Sequence, residues 1–141
     1  MKDEYIATGQ SVRFEYYHFP IVDTIAGGRE SRNAAQASEC ANEQGKFWEY
    51  HDYLFANVRG ENVGSFRDPN LKAMAEKAGL DTAQFNTCYD SGNYASAVSQ
   101  DETLGRNLGV SGTPTIFVNQ RQVQASYEAV KAAIDTALAQ P

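Results

Sequence analysis

Sheet-forming residues stand only near the two ends of this 141-residue chain, and nearly everything between them has the period of helices. Near the start, Val12, Phe14 and Tyr16 alternate with Arg13, Glu15 and Tyr17, the pattern of a strand. Near the end, Thr115-Ile116-Phe117-Val118 is a β-branched and aromatic run directly after Pro114. Asn119-Gln120-Arg121 then makes a tight connection to a second short strand, Gln122 to Ala125. The order strand, helical block, hairpin and helix predicts an α/β or α+β chain with a helical insertion between its sheet elements.

The helices are punctuated by caps and glycines. Lys2 to Thr8 reads as the end of a helix stopped by Gly9, so the chain opens on the last turns of a helix and looks cut. Ser31 is placed to cap a helix carrying Ala34, Ala37, Cys40 and Ala41, ended by Gly45. From Lys46 a second helix sets Phe47, His51, Leu54, Phe55 and Val58 on its inner face, with Tyr50 and Tyr53 partly outward. With Trp48, this aromatic run reads as core packing, not a ligand box. Arg59 to Arg67 is a loop, and Asp68-Pro69 opens a helix through Leu71, Met74, Ala75 and Ala78. Gly79-Leu80 closes it, and Asp81 caps a helix carrying Phe85 and Cys88. A further helix from about Asn93 to Leu108 turns Tyr94, Ala97, Val98, Leu104 and Leu108 inward. Ser126 caps the last helix, with Val130, Ala133, Ile134, Ala137 and Leu138 on one face. Residues 1–141 read as a single domain, with the helical insert over about 31–109.

Composition removes several function classes. Lys and Arg number 12 against 18 Asp and Glu, a formal charge of −6 without a basic cluster, which argues against a nucleic-acid surface. No apolar run approaches the roughly 18 residues of a spanning helix, and the charged start, Met1-Lys2-Asp3-Glu4, holds no signal peptide. Gly27-Gly28 lacks the Lys-Ser/Thr of a phosphate-binding loop. Cys40 and Cys88 are the two cysteines; they are compatible with buried thiols, one long-range disulfide or a redox pair. His18 and His51 are not spaced with them as zinc ligands are, and His51 reads as a core histidine. No metal and no cofactor are expected. Pro114, taken alone, is an ordinary strand-start proline.

Four segments, in order, carry a family resemblance. Gly109-Val110-Ser111-Gly112-Thr113-Pro114-Thr115, followed by a hairpin and a final helix, resembles the cis-proline loop and C-terminal half of the thioredoxin fold. The run from Ala35 through Asn57, that from Phe85 to Tyr94, and that from Val12 to Pro20 are similar to DsbA-like thiol:disulfide oxidoreductases. The resemblance implies an α/β thioredoxin-like fold with a DsbA-type helical insertion, whose N-terminal strand and start of first helix are missing. It implies a cis Thr113–Pro114 peptide packed over a dithiol, with Gly112, Thr113 and Pro114 presenting backbone to a substrate polypeptide. It also implies a structural Cys40–Cys88 disulfide, cysteine-containing polypeptide substrates, a redox partner and a periplasmic or cell-envelope location.

One departure matters as much as the match. The family's reactive motif is a Cys-x-x-Cys at a helix N-terminus, where the helix dipole favours the thiolate and the second cysteine resolves the mixed disulfide. No Cys-x-x-Cys occurs in this sequence. The expected function is therefore dithiol–disulfide exchange on exported proteins by family membership, with this chain redox-inactive as it stands and no catalytic residue to name. The alternative is a non-catalytic peptide-binding or chaperone-like module. The missing central strand would leave Val12–His18 and Thr115–Asn119 as open edges, expected either to pair with each other directly or to drive self-association.

Overall fold

The computed structural model describes residues 2–139, which form two compact units. His18–Asn107 make a helical unit; the stretch up to Tyr17 and the stretch from Leu108 onward make a hairpin unit.

The helical unit contains α1 (Ile21–Ala26), α2 (Glu30–Asn42), α3 (Phe47–Asn57), α4 (Asp68–Lys77), α5 (Thr82–Ser91) and α6 (Ala95–Asn107). Its centre is α2, which packs against each of the other five. The inward residues of α2 are small: Ala34, Ala37, Cys40 and Ala41 are all buried. Small side chains let neighbouring helices approach closely, and the bulk of the core comes from those neighbours. Tyr50 and Leu54 of α3, Leu71, Met74 and Ala75 of α4, and Phe85 and Cys88 of α5 complete it.

Local signals set most of the helix ends. Asp81 accepts hydrogen bonds from the Ala83 and Gln84 amides and caps α5, and Pro69 stands in the first turn of α4. Ser31 does not cap α2. The buried Asp23 carboxylate of α1 takes that part, accepting from the Ser31 amide at 3.2 Å and the Arg32 amide at 2.8 Å. A carboxylate at a helix N-terminus serves both the orphan amides and the helix dipole, so it displaces a local serine cap.

Two helices are rotated from their expected faces. On α3, Tyr50 is fully buried, whereas Phe55 and Val58 are exposed. His51 is only half-buried, lying against Phe55 at 4.4 Å between ring centroids and bonding Asp52, so it is not a core histidine. Phe47 and Trp48 are likewise half-buried. Apolar and aromatic residues occupy more than one face of this helix, so period alone does not choose a face. The Tyr50 hydroxyl donates to the Leu71 carbonyl at 3.0 Å, which allows the whole ring to be buried. On α6, Ala97 and Leu104 are exposed, as is Leu108 just beyond its end, and the inward pair is Val98 and Glu102.

Glu102 is buried because its charge is answered from three sides: Arg32 of α2, Arg106 one turn on, and the Thr24 hydroxyl of α1. Burial alone would raise its carboxyl, but the two guanidinium groups outweigh this and hold it below its ordinary range. A carboxyl lowered in the folded state contributes stability above its unfolded pKa and loses it as pH falls through the folded one. Glu102→Gln is therefore expected to weaken the unit at neutral pH and to shrink the stability lost on acidification. Thermal melts at stepped pH check this; parallel acid limbs for the two proteins would contradict it.

In the hairpin unit, Lys2–Ile6 form a π-helical turn ended by Gly9, whose φ of +72° suits glycine. The segment Val12–Tyr17 forms no strand. Among the described residues the sheet is β1 (Ile116–Val118) with β2 (Arg121–Val123), antiparallel, with Val118 opposite Arg121. An alternating sequence becomes a strand only where a neighbouring strand completes the ladder. Direct pairing of Val12–His18 with Thr115–Asn119 is therefore not the way the edge is handled. The hairpin turn places Asn119 at φ +46° and Gln120 at φ +68°, the type I′ geometry. Glutamine is strained there, so Gln120→Gly is expected to stabilise the hairpin unit by about 0.5–1 kcal/mol, read as a raised midpoint. An unchanged or lower midpoint would refute that. α7 (Tyr127–Leu138) packs on both strands, capped by Ser126, which accepts from the Ala129 amide.

Candidate functional site

The loop expected to receive substrate lies in the hairpin unit, between α6 and β1. Gly109 leaves α6 at φ +77°, and the chain then runs through Gly112, Thr113 and Pro114 into β1. The Thr113–Pro114 peptide is cis. The Thr115 hydroxyl donates to the Gly112 carbonyl at 2.7 Å and braces the loop from its strand side. Thr113 and Pro114 are exposed, and among the described residues, its chain neighbours aside, nothing lies within 4 Å of the point where Gly112 would carry a Cβ. The backbone of this loop is therefore open to a ligand. Beside it, the register leaves the Phe117 N–H and C=O pointing away from β2, because Ile116 and Val118 hold the ladder bonds.

Behind the hairpin, a polar network that the sequence did not announce ties the N-terminal turn to α7. The Tyr5 hydroxyl donates to Asp135 at 2.7 Å, and the Lys131 ammonium reaches Tyr5 at 3.1 Å, Glu4 at 3.0 Å and Asp135 at 3.0 Å. Tyr127 adds a hydrogen bond to the other Glu4 oxygen. The Tyr5 hydrogen bond, then Lys131, hold the Asp135 carboxyl below its ordinary range; Tyr5, Glu4 and Asp135 together hold the Lys131 ammonium above its own. The network is thus charged through the neutral range and fixes the unit that carries the loop. The only local clue was the Lys131–Asp135 spacing on α7.

Cys40 and Cys88 are brought together in the helical unit, joined as a disulfide between α2 and α5 with their Cα atoms 5.8 Å apart. Both are buried in the core, so neither presents a thiolate in this state. His18 is buried with its Nε2 atom 2.9 Å from the Glu39 carboxylate, while its amide donates to Asp101. The His18 hydrogen bond holds the Glu39 carboxyl below its ordinary range. Among the described residues no three His, Cys, Asp or Glu side chains are grouped to hold a metal ion. No helix of the described residues is long and apolar enough to cross a membrane.

Comparison with known proteins places this geometry. A family model described as Thioredoxin matches residues 1–136. The chain belongs to the thioredoxin family. This thioredoxin-family chain is similar in structure to a thioredoxin-like oxidoreductase from Silicibacter pomeroyi, with a TM-score of 0.65 and 25% identity over 81% of this chain and 64% of that one. It is 30% identical to disulfide bond formation protein D of Bacillus subtilis over 85% of this chain and 56% of that protein. It is also 35% identical to Na(+)/H(+) antiporter NhaA 1 of Salinispora arenicola, across 92% of this chain but 19% of the antiporter. The chain thus spans about a fifth of that antiporter and somewhat over half of the Bacillus protein. The helical insertion and small sheet expected from the sequence are those of the thioredoxin-like fold.

Proposed function

We propose that this chain is the polypeptide-receiving part of a thiol:disulfide oxidoreductase acting on cysteine-containing exported proteins. The observation that carries the reading is the exposed Gly112-Thr113-Pro114 loop, braced by Thr115 and set beside the outward Phe117 edge. An extended peptide can bond to backbone groups there with its own backbone, which recognises a chain without demanding a sequence. The thioredoxin-like oxidoreductase and disulfide bond formation relatives support the chemistry. The exchange step needs an attacking thiolate and a resolving cysteine, and residues 1–141 contain no Cys-x-x-Cys. Cys40 and Cys88 are engaged with each other in the core. By itself this stretch is therefore redox-inactive, and the reactive dithiol comes from elsewhere.

The missing motif equally favours a second reading, a non-catalytic peptide-binding module carried within a larger protein, as the antiporter relative illustrates by its length. Both readings set the module outside the cytoplasm. Two measurements test them. In an insulin-reduction assay the chain is expected to give no turnover; turnover lost on Cys40→Ser would overturn the structural role of the disulfide. In a titration with a cysteine-to-serine peptide, amide shifts are expected at Gly112, Thr113 and Phe117. Shifts confined to other residues, or none, would overturn both readings. The Phe117 edge also makes self-association the expected state without a peptide, checked by light scattering against concentration.

A further inference from the structure

The helical unit holds a cavity of about 300 Å³ between the end of α3, the following loop and α4. Its lining includes Asn57, Arg59, Ser65, Asn70 and Lys77, with Met74 among its apolar residues. No lining residue is acidic, in a chain where acids outnumber bases 18 to 12. A third cation stands beside it: a Cβ on the lining residue Gly64 would lie 2.8 Å from Nε of Arg67, so that guanidinium covers Gly64. The Glu30 carboxylate, which reaches this loop, is occupied by the Gly64 and Phe66 amides at 2.6 and 2.9 Å. Among the described residues Arg59, Arg67 and Lys77 hold no carboxylate within ion-pair distance, a condition they share with Arg29, Lys46 and Arg121.

Arg59 and Lys77 on the lining, with Arg67 over Gly64, set like charges around one concavity, an arrangement that an anion relieves. Two guanidinium forks match the paired oxygens of phosphate or carboxylate, and an ammonium adds a point charge. The volume lies at the small end of ligand pockets, enough for a compact molecule and too little for a nucleotide-sized one. Other polar groups are already committed: Asn70 donates to the Gly64 and Ser65 carbonyls, and the Ser65 hydroxyl accepts from the Arg59 amide. They shape the wall and leave recognition to the cations.

We propose that the cavity lined by Arg59 and Lys77, with Arg67 at its edge, is a binding site for a small molecule bearing a phosphate or carboxylate group. The test is calorimetric titration of the whole chain with inorganic phosphate and, separately, with succinate, at low and high salt. Saturable binding of at least one anion is expected, weakened by salt. Arg59→Ala and Lys77→Ala are each expected to lower affinity roughly tenfold, the scale of one charge-assisted hydrogen bond. Lys72→Ala, on a lysine already held by Asp90, serves as the control and is expected to leave affinity unchanged. Phosphate binding without succinate binding assigns a phosphate ligand, and the reverse assigns a carboxylate. Absence of saturable binding by either anion, or equal loss in the Lys72→Ala control, overturns the proposal. Circular dichroism of each variant confirms that these surface substitutions leave the fold intact.

Discussion

Reduction of the Cys40–Cys88 disulfide is expected to lower the stability of the helical unit by about 4 kcal/mol. The two cysteines are 48 positions apart, and closing a loop of that size removes conformational entropy from the unfolded chain on the loop-closure account. Domains of this size are commonly stable by only about 5–15 kcal/mol, so the loss is a large share of the total. Trp48, the chain's one tryptophan, lies on α3 in the same unit and supplies the signal. Guanidinium unfolding of the oxidised and the dithiothreitol-treated protein, followed by its fluorescence, should show clearly separated midpoints. Coincident midpoints would show that the unfolded ensemble gains little freedom when the bond opens. A Cys40→Ala, Cys88→Ala double variant should resemble the reduced protein, because both side chains are small and sit among apolar neighbours.

Phe85→Ala is expected to cost about 3–5 kcal/mol, the range for emptying a fully enclosed aromatic site. The Phe85 ring has no exposed surface and touches those of Tyr50 and Tyr89, with centroids 5.5 and 6.0 Å away. It bridges α5 to α3, and neither Tyr50 nor Tyr89 can move in to fill the hole without giving up a hydrogen bond, to the Leu71 carbonyl and to Asp68 respectively. Phe55→Ala provides the contrast. Phe55 is 63% exposed, so its removal is expected to change stability by less than about 0.5 kcal/mol. Denaturant melts of the two variants check both: a large loss at Phe55 would mean that α3 turns to the face its sequence periodicity suggests, and a small loss at Phe85 would mean that its site is not enclosed.

That pair of residues shows where reading a linear sequence stops. Helices α2, α4 and α5 have apolar residues on one stripe and polar residues elsewhere, so period alone placed Ala37, Cys40, Leu71, Met74, Phe85 and Cys88 in the core. On α3 apolar and aromatic side chains lie on more than one face, and the buried face was settled by a hydrogen-bond acceptor, the Leu71 carbonyl, that only packing could supply to Tyr50. On α6 the acidic Glu102 went inward and Leu104 outward because Arg32 and Thr24 arrive from distant helices. The same holds for the N-terminus of α2, capped from α1 by Asp23 in place of the adjacent Ser31.

The family, the order of helices and hairpin, the Asn119-Gln120 turn and the Ser126 and Asp81 caps were legible in the linear chain. All of these rest on signals within a few residues of one another, where backbone propensity and side-chain period act directly. Tertiary structure decided the fate of Val12–Tyr17, whose alternation makes no strand without a neighbour to complete the ladder. It decided the Glu4, Tyr5, Lys131 and Asp135 network, whose members come from opposite ends of the chain. It also gathered Arg59, Arg67 and Lys77 around one cavity. Charges attract or repel according to distance in space, and the spacing of residues along a chain does not contain that distance.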